Sequence, residues 1–158
     1  KIRQNTQLWI VGDGSERNKL ETIAHSLKIS NEVTFLGEIP NDKLPDYYAA
    51  ADIFIAPSIV DSNGDTEGQG VMLLEALTSE TAVISTLTGG INEVIEQNKT
   101  GLLTTPQNID QLKAAIETLI MDRKLRKSLA EQGKKQAKLY DWKNIALKFS
   151  NLYDSSTH

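Results

Sequence analysis

Short apolar runs of strand length alternate with longer amphipathic stretches through most of the chain. This alternation is typical of repeated βα units, in which helices cover both faces of a parallel sheet. Gly, Pro or Asp bounds each apolar run. Five strands are predicted, at 8–11, 33–36, 53–56, 82–85 and 101–103. The chain is therefore expected to form an α/β, Rossmann-like parallel sheet with helices on both faces.

The amphipathic stretches predict the helices. Four are expected between the strands, at 15–27, 42–51, 71–79 and 92–96. Pro45 should interrupt the second of them. The first carries four apolar residues on one face: Leu20, Ile23, Ala24 and Leu27. After Pro106 the apolar spacing is helical only, so a helical C-terminal tail should complete a single domain over 1–158.

Composition argues against several classes of function. With 158 residues, 39% apolar and 24% charged, the chain can bury a core, and its net charge of −4 offers no basic field for nucleic acid. The absence of cysteine excludes disulfide and thiol chemistry and fits the cytoplasm. No apolar run approaches the roughly 18 residues of a membrane span. Only two histidines occur, and no cluster of histidines or carboxylates predicts a metal site.

The first glycine pair, Gly12 and Gly14, lies between a predicted strand and a predicted helix. Glycines at such a place permit a tight turn and let a phosphate approach the amides at a helix start. A dinucleotide-binding fingerprint would need another glycine three residues after Gly14, where Arg17 stands. Two interpretations remain open: the pair contacts a ligand, or it only shapes the turn.

The second pair, Gly68 and Gly70, precedes an intensely apolar helix that begins at Val71. We expect this helix to be buried nearly all round. Its first amides have no intrahelical partner and carry the positive end of the helix dipole, which suits a diphosphate. Glu75 would then be a buried carboxylate, which costs on the order of several kcal/mol when unpaired. Two interpretations remain open. Glu75 is either a structural residue whose carboxylate bonds to the backbone or to an Arg, or it accepts hydrogen bonds from two neighbouring hydroxyls of a ribose.

Two further features follow predicted strands. Glu67 lies on the loop eight positions before Glu75. Alone it would be an ordinary solvated charge, but beside these amides it could stabilise a hexose ring or the positive charge that develops on its anomeric carbon. Gly89 and Gly90 follow the fourth strand and either line the same crevice or form another turn. Glu93 is interpreted as a residue that caps a helix start.

In their order and spacing, these segments resemble the C-terminal domain of the retaining glycosyltransferases of family 4, which have the GT-B architecture. The matching stretches are 11–14, 33–37, 51–58, 67–77, 89–95 and 100–103. They cover almost the whole chain. The resemblance implies that the chain is one half of a GT-B fold and binds a nucleotide sugar.

The resemblance also implies roles for the matched positions. Glu75 would hold the ribose, and Glu67 would lie against the donor sugar as the catalytic residue. The positions between them would meet sugar hydroxyls and the diphosphate: Gly68, Gln69, Gly70, Val71 and Met72. The remaining donor-site positions would be Gly12, Gly14, Gly89 and Gly90, with the base near Gly37, Glu38 and Ile39. GT-B enzymes usually need no bound metal, so no cofactor is expected besides the donor, a UDP-, GDP- or ADP-sugar.

The chain departs from the family in two ways. Gln69 stands where an aromatic or apolar residue is usual. The family's domain also begins one βα unit earlier, with an Arg and a Lys that grip the diphosphate, and follows an N-terminal domain that binds the acceptor. Residues 1–158 are therefore expected to be the nucleotide-sugar-binding C-terminal domain without these parts, inactive alone. The helix around 142–153 resembles the segment that packs on the N-terminal domain, so exposed apolar residues are expected there.

The resemblance implies transfer of a hexose, with retention of configuration through same-face attack, in bacterial polysaccharide or glycolipid assembly. The acceptor would be a sugar or a lipid-linked sugar bound by the N-terminal domain. The full-length enzyme would be cytoplasmic, with peripheral association at the inner face of the membrane. Two alternatives remain: another GT-B nucleotide-sugar enzyme such as an epimerase, or a non-catalytic module that binds a nucleotide sugar.

Overall fold

The structure is a computed structural model that describes residues 5–59 and 70–155. Its contacts divide the chain into two compact units, Lys1–Leu44 and Pro45–His158. No helix among the described residues is long and apolar enough to cross a lipid bilayer.

The Lys1–Leu44 unit is a βαβ arrangement of β1 (Leu8–Val11), α1 (Arg17–Ser26) and β2 (Val33–Gly37). The strands pair in parallel, with Leu8 opposite Val33. Six apolar residues of this unit are between 38% and 58% exposed: Leu8, Trp9, Val11, Leu20, Ile23 and Leu27.

On the apolar face of α1, Ala24 is buried at 5% exposed, whereas Leu20, Ile23 and Leu27 are exposed. Helical periodicity identifies an apolar face, but other elements must supply the surface that covers it. In the described part of this unit that surface is a ladder of two strands.

The Pro45–His158 unit contains a parallel sheet in the order β3-β4-β5. Its elements are α2 (Leu44–Ala50), β3 (Ile53–Ala56), α3 (Val71–Thr78), β4 (Ala82–Thr86), α4 (Ile91–Val94), β5 (Leu102–Thr104), α5 (Ile109–Met121), α6 (Arg123–Ala137), a 3-10 turn (Lys138–Tyr140) and α7 (Trp142–Ser155). Ile53 lies opposite Ala82, and Ile84 lies opposite Leu102. The order of strands and helices predicted from the sequence is confirmed.

The central strand β4 is buried along its whole length. On one face Val83 joins a set of residues that we call the α3 cluster: Ala56, Leu73, Ala76, Leu77, Val83, Ile91, Val94, Ile95 and Ala137. On the other face Ala82 and Ile84 pack with residues of β5, α5 and α6: Leu102, Leu119, Leu129 and Ala130. Full burial of each Leu or Ile contributes about 1.5–3 kcal/mol. The prediction of helices on both faces is confirmed for this sheet.

Two predicted helices differ in detail from those observed. The helix expected over 42–51 begins at Leu44, and Pro45 lies in its first turn instead of interrupting it. Proline is tolerated there because the first-turn amides have no intrahelical partner. The helix expected over 92–96 is a single turn, Ile91–Val94, and Ile95 is already extended.

The last helix, α7, carries large apolar side chains that are exposed. Trp142 is 82% exposed, Leu147 61% and Phe149 59%. The expectation of exposed apolar residues in this segment is therefore confirmed.

Candidate functional site

The residue directly before α3, Gly70, must be glycine. Gly70 is buried and has φ 61° and ψ 60°, the left-handed region that L side chains rarely adopt. A Cβ at Gly70 would lie 2.7 Å from Leu73 Cδ1 and 3.1 Å from Leu73 Cγ. Because Leu73 is fully buried in the α3 cluster, it has no room to withdraw. Gly70 therefore turns the chain sharply into α3 and adds no side chain of its own at the helix start.

The first turn of α3 has no side-chain cap from Gly70 and contains no acidic residue. The Leu73 amide donates to the Gly70 carbonyl at 2.8 Å, and the amides of Val71 and Met72 precede this bond. Val71 is 62% exposed, so solvent reaches this turn. The first amides of a helix, together with the helix dipole, make this helix start suitable for an anion.

Glu75 lies one turn further along α3, on the exposed side of the helix. The expectation that α3 is buried nearly all round is wrong: Leu73, Ala76 and Leu77 are buried, whereas Val71 and Glu75 are exposed. The helix has a high apolar content, but it is amphipathic, with one face in the core and the other toward solvent. Glu75 therefore does not need a partner to offset burial.

Glu75 nevertheless has a partner in the structure. The Tyr48 hydroxyl donates a hydrogen bond to Glu75 Oε2 at 3.1 Å. Burial, and then this hydrogen bond, raises the pKa of Tyr48 to about 12. Among the described residues, no donor reaches the other carboxylate oxygen, Oε1. Tyr48 could not be identified from the sequence, because 27 positions separate it from Glu75 and nothing in the spacing connects them.

The carboxyl ends of the strands in this sheet are held together by side-chain hydroxyls. Ser85 Oγ donates to the Ala56 carbonyl at 2.9 Å, and Thr86 Oγ1 donates to the Ser58 carbonyl. Thr104 Oγ1 donates to the Ser85 carbonyl at 3.3 Å. These bonds fix the edge of the sheet from which the β4–α4 turn leaves.

The third glycine pair forms the turn between β4 and α4. Gly89 has φ 51° and needs the freedom of glycine, whereas Gly90 has an ordinary φ of −85°. No side chain caps α4, so the expected capping role of Glu93 is not observed. The neighbouring Thr88 Oγ1 is buried without a hydrogen-bond partner among the described residues. Such a group is costly unless a partner outside the described residues satisfies it.

The first glycine pair belongs to the Lys1–Leu44 unit. Gly12 has φ 104°, and its amide donates to the Gly37 carbonyl at 2.7 Å, so it shapes the turn after β1. Gly14 accepts a backbone bond from the Arg17 amide at 3.1 Å. The Arg17 guanidinium pairs with Asp13 at 3.3 Å and with Glu21 at 2.9 Å. These contacts account for an arginine where a dinucleotide fingerprint would have glycine.

The remaining predicted positions divide between the two units and the undescribed segment. Glu38 and Ile39 follow β2 in a stretch without regular structure. Gly70, Val71, Met72 and Glu75 share one helix start. Glu67, Gly68 and Gln69 lie outside the described residues. Among residues 5–59 and 70–155, no group of three or more His, Cys, Asp or Glu is arranged to hold a metal ion.

Comparison with protein families gives one match over most of the chain. The pattern described as glycosyl transferases group 1 matches residues 1–136. A GDP-mannose-dependent alpha-(1-6)-phosphatidylinositol monomannoside mannosyltransferase from Mycobacterium tuberculosis is 32% identical over 147 residues, covering 92% of this chain and 38% of the relative. The chain thus spans well under half the length of this relative.

Solved structures share the fold. Sucrose-phosphate synthase from Thermosynechococcus elongatus matches with a TM-score of 0.79 and 30% identity, over 94% of this chain and 38% of that one. Anabaena HepE in complex with UDP and glucose matches with a TM-score of 0.78 and 25% identity, over 94% of this chain and 40% of that one. In each case the matched region is a part of a larger chain.

Proposed function

The chain belongs to the glycosyl transferases group 1 family, and we propose that it is the donor-binding domain of a retaining glycosyltransferase with the GT-B architecture. The full-length enzyme would transfer a hexose from a nucleoside diphosphate sugar to an acceptor. The first βα unit and the acceptor-binding domain would come from protein outside residues 1–158. The exposed apolar residues of β1, α1 and α7 support this, because each exposes surface that further elements would cover.

One observation carries the proposal: α3 combines a helix start at the exposed Val71 with a carboxylate on the same exposed side. Val71 and Glu75 are four residues apart and both are exposed. A rise of about 1.5 Å per residue separates their positions by about 6 Å along the helix. A nucleotide can span this interval, with its diphosphate at the first amides and its ribose hydroxyls at the carboxylate.

We assign roles in the donor site as follows. Glu75 accepts hydrogen bonds from the ribose, and the amides of Gly70, Val71 and Met72 bind the diphosphate. The Gly89–Gly90 turn lies against the donor. The neighbouring Thr88 hydroxyl has no hydrogen-bond partner among the described residues and is available to bond to the donor. The family 4 resemblance supports the other assignments: Glu67 as the catalytic residue facing the sugar, Gly68 and Gln69 at sugar hydroxyls, Gly12 and Gly14 beside the donor, and Gly37, Glu38 and Ile39 near the base.

The donor and acceptor classes rest on similarity. The mycobacterial relative is named for GDP-mannose and a phosphatidylinositol monomannoside, and the Anabaena structure holds UDP. We therefore propose a UDP-, GDP- or ADP-sugar donor and a sugar or lipid-linked acceptor, used in bacterial polysaccharide or glycolipid assembly. The site on α3 offers amides in place of a metal to meet the diphosphate charge, so we propose binding without a metal. The full-length enzyme would work in the cytoplasm, peripherally at the inner membrane face.

Calorimetric titration of the chain with UDP-, GDP- and ADP-sugars tests the donor site. Replacing Glu75 with Gln should weaken the preferred nucleotide by about tenfold to a hundredfold, because charged hydrogen bonds contribute about 1.5–3 kcal/mol. Glu131→Gln is the matched control, since Glu131 is an exposed glutamate on α6. Equal affinities in the two variants would refute the ribose assignment.

Transfer is expected only in the full-length enzyme. The isolated chain should bind the donor but transfer no sugar, because the acceptor site lies outside residues 1–158. A turnover rate equal to that of a two-domain relative, measured with donor and acceptor present, would contradict this.

A further inference from the structure

Among the described residues, Tyr48 is the one whose side chain donates to the Glu75 carboxylate, through the 3.1 Å bond to Oε2. An exposed carboxylate is well solvated and does not need such a bond for stability. The bond instead connects a half-buried side chain on α2 with a solvent-facing group on α3. Its effect is to restrict where the carboxylate points.

The Tyr48 ring is itself held firmly. It packs edge-to-face on Phe54, with ring centroids 5.2 Å apart and an interplanar angle of 84°. It also packs against the α3 cluster. Its backbone carbonyl accepts a 2.6 Å hydrogen bond from Thr81 Oγ1, and Thr81 is 1% exposed. The hydroxyl is therefore presented from a fixed point of the core.

We infer that Tyr48 is a positioning residue for nucleotide binding: its hydroxyl holds the Glu75 carboxylate in the orientation that accepts two ribose hydroxyls. This inference rests on the proposed function of Glu75. A carboxylate has about four lone-pair sites, so one bond to Tyr48 leaves both oxygens able to accept. An unrestrained glutamate would lose rotational freedom on binding, whereas the Tyr48 bond restrains it beforehand. With its pKa near 12, the hydroxyl stays protonated and a donor at neutral pH.

A double-mutant cycle tests the inference. The chain, Tyr48→Phe, Glu75→Gln and the double variant are titrated with UDP and GDP and with their 2′,3′-dideoxy forms. Tyr48→Phe keeps the ring contact with Phe54 and removes only the hydroxyl. It should weaken the ribonucleotide by about threefold to tenfold, the size of one hydrogen bond, and leave the dideoxy form unchanged. In the Glu75→Gln background it should cause no further loss.

The control is Tyr47→Phe, which removes a hydroxyl from the neighbouring position of α2 and should change neither affinity. Equal weakening of ribo and dideoxy forms by Tyr48→Phe, or no weakening, would overturn the positioning role even if Glu75→Gln is selective for the ribose. A Glu75→Gln variant that keeps the ribo-to-dideoxy ratio would instead overturn the ribose assignment and the inference with it. Failure of the unsubstituted chain to bind UDP or GDP at millimolar concentration would overturn both.

Discussion

Replacing Gly70 with alanine should destabilise the Pro45–His158 unit by about 2–5 kcal/mol. The left-handed conformation at φ 61° costs an L residue roughly 1–2 kcal/mol. The new Cβ would lie 2.7 Å from Leu73 Cδ1, and overpacking a filled core costs about 1–3 kcal/mol more. Leu73 cannot avoid this contact by turning toward solvent, because it is fully buried.

Urea unfolding followed by far-ultraviolet circular dichroism measures this loss. Val71→Ala is the matched control, because Val71 is the neighbouring residue and is 62% exposed. It should change the free energy of unfolding by no more than about 0.5 kcal/mol. If Gly70→Ala proved as stable as Val71→Ala, the account of Gly70 as an obligatory glycine would be wrong.

Two further predictions concern contacts that hold the same unit together. The 2.9 Å hydrogen bond from Lys134 lowers the pKa of Glu80 from its ordinary value. The bond therefore stabilises the fold above that ordinary pKa, and its contribution is lost as the pH falls through the lowered pKa. Lys134→Ala should raise the pKa of Glu80 toward its ordinary value, and an unchanged carboxyl titration by NMR would contradict this. The Arg126 guanidinium donates to the Leu119 carbonyl at 2.6 Å and to Asp52 at 3.0 Å, so Arg126→Ala should cost about 1–3 kcal/mol in urea unfolding. Arg126→Lys should recover only part of that loss, because one ammonium cannot make both hydrogen bonds that the guanidinium makes. Full recovery would argue against the simultaneous bonds to Leu119 and Asp52.

The strands were predictable because they are marked locally in the sequence. The predicted limits of β1 and β3 equal those observed, since apolar runs there are bounded by Gly, Pro or Asp. Pro45 shows the weakness of a purely local rule, because proline breaks a helix interior but fits a first turn. Whether it lies in the first turn depends on where α2 begins, and α2 begins at Leu44.

Burial was less predictable, because it depends on partners that lie far apart in the sequence. The apolar face of α1 was identified correctly, yet Ile23 is 44% exposed in a unit with a two-stranded ladder. The helix α3 looked buried all round from its composition, although Glu75 and Val71 face solvent.

The candidate site was predictable as far as it rests on one helix. Gly70 and Glu75 could be paired from their spacing along α3, because both belong to a single element. Tyr48 could not, because α2 and α3 are connected through β3 and an undescribed segment.

The packing role of Gly133 could not be predicted for the same reason. Gly133 lets α6 approach Leu77 and the Thr100 carbonyl closely, and only the packed structure shows that contact.

The central claim is that a nucleotide binds along the exposed side of α3 from its first turn to Glu75. Backbone amide NMR of the isotope-labelled chain, titrated with UDP and with GDP, tests this most directly. If a nucleotide binds there, one of the two should shift the amides of residues 70–75 most and leave those of α5 and α6 nearly unchanged. Saturable binding whose largest shifts lie in α5 or α6, with residues 70–75 unchanged, would contradict it.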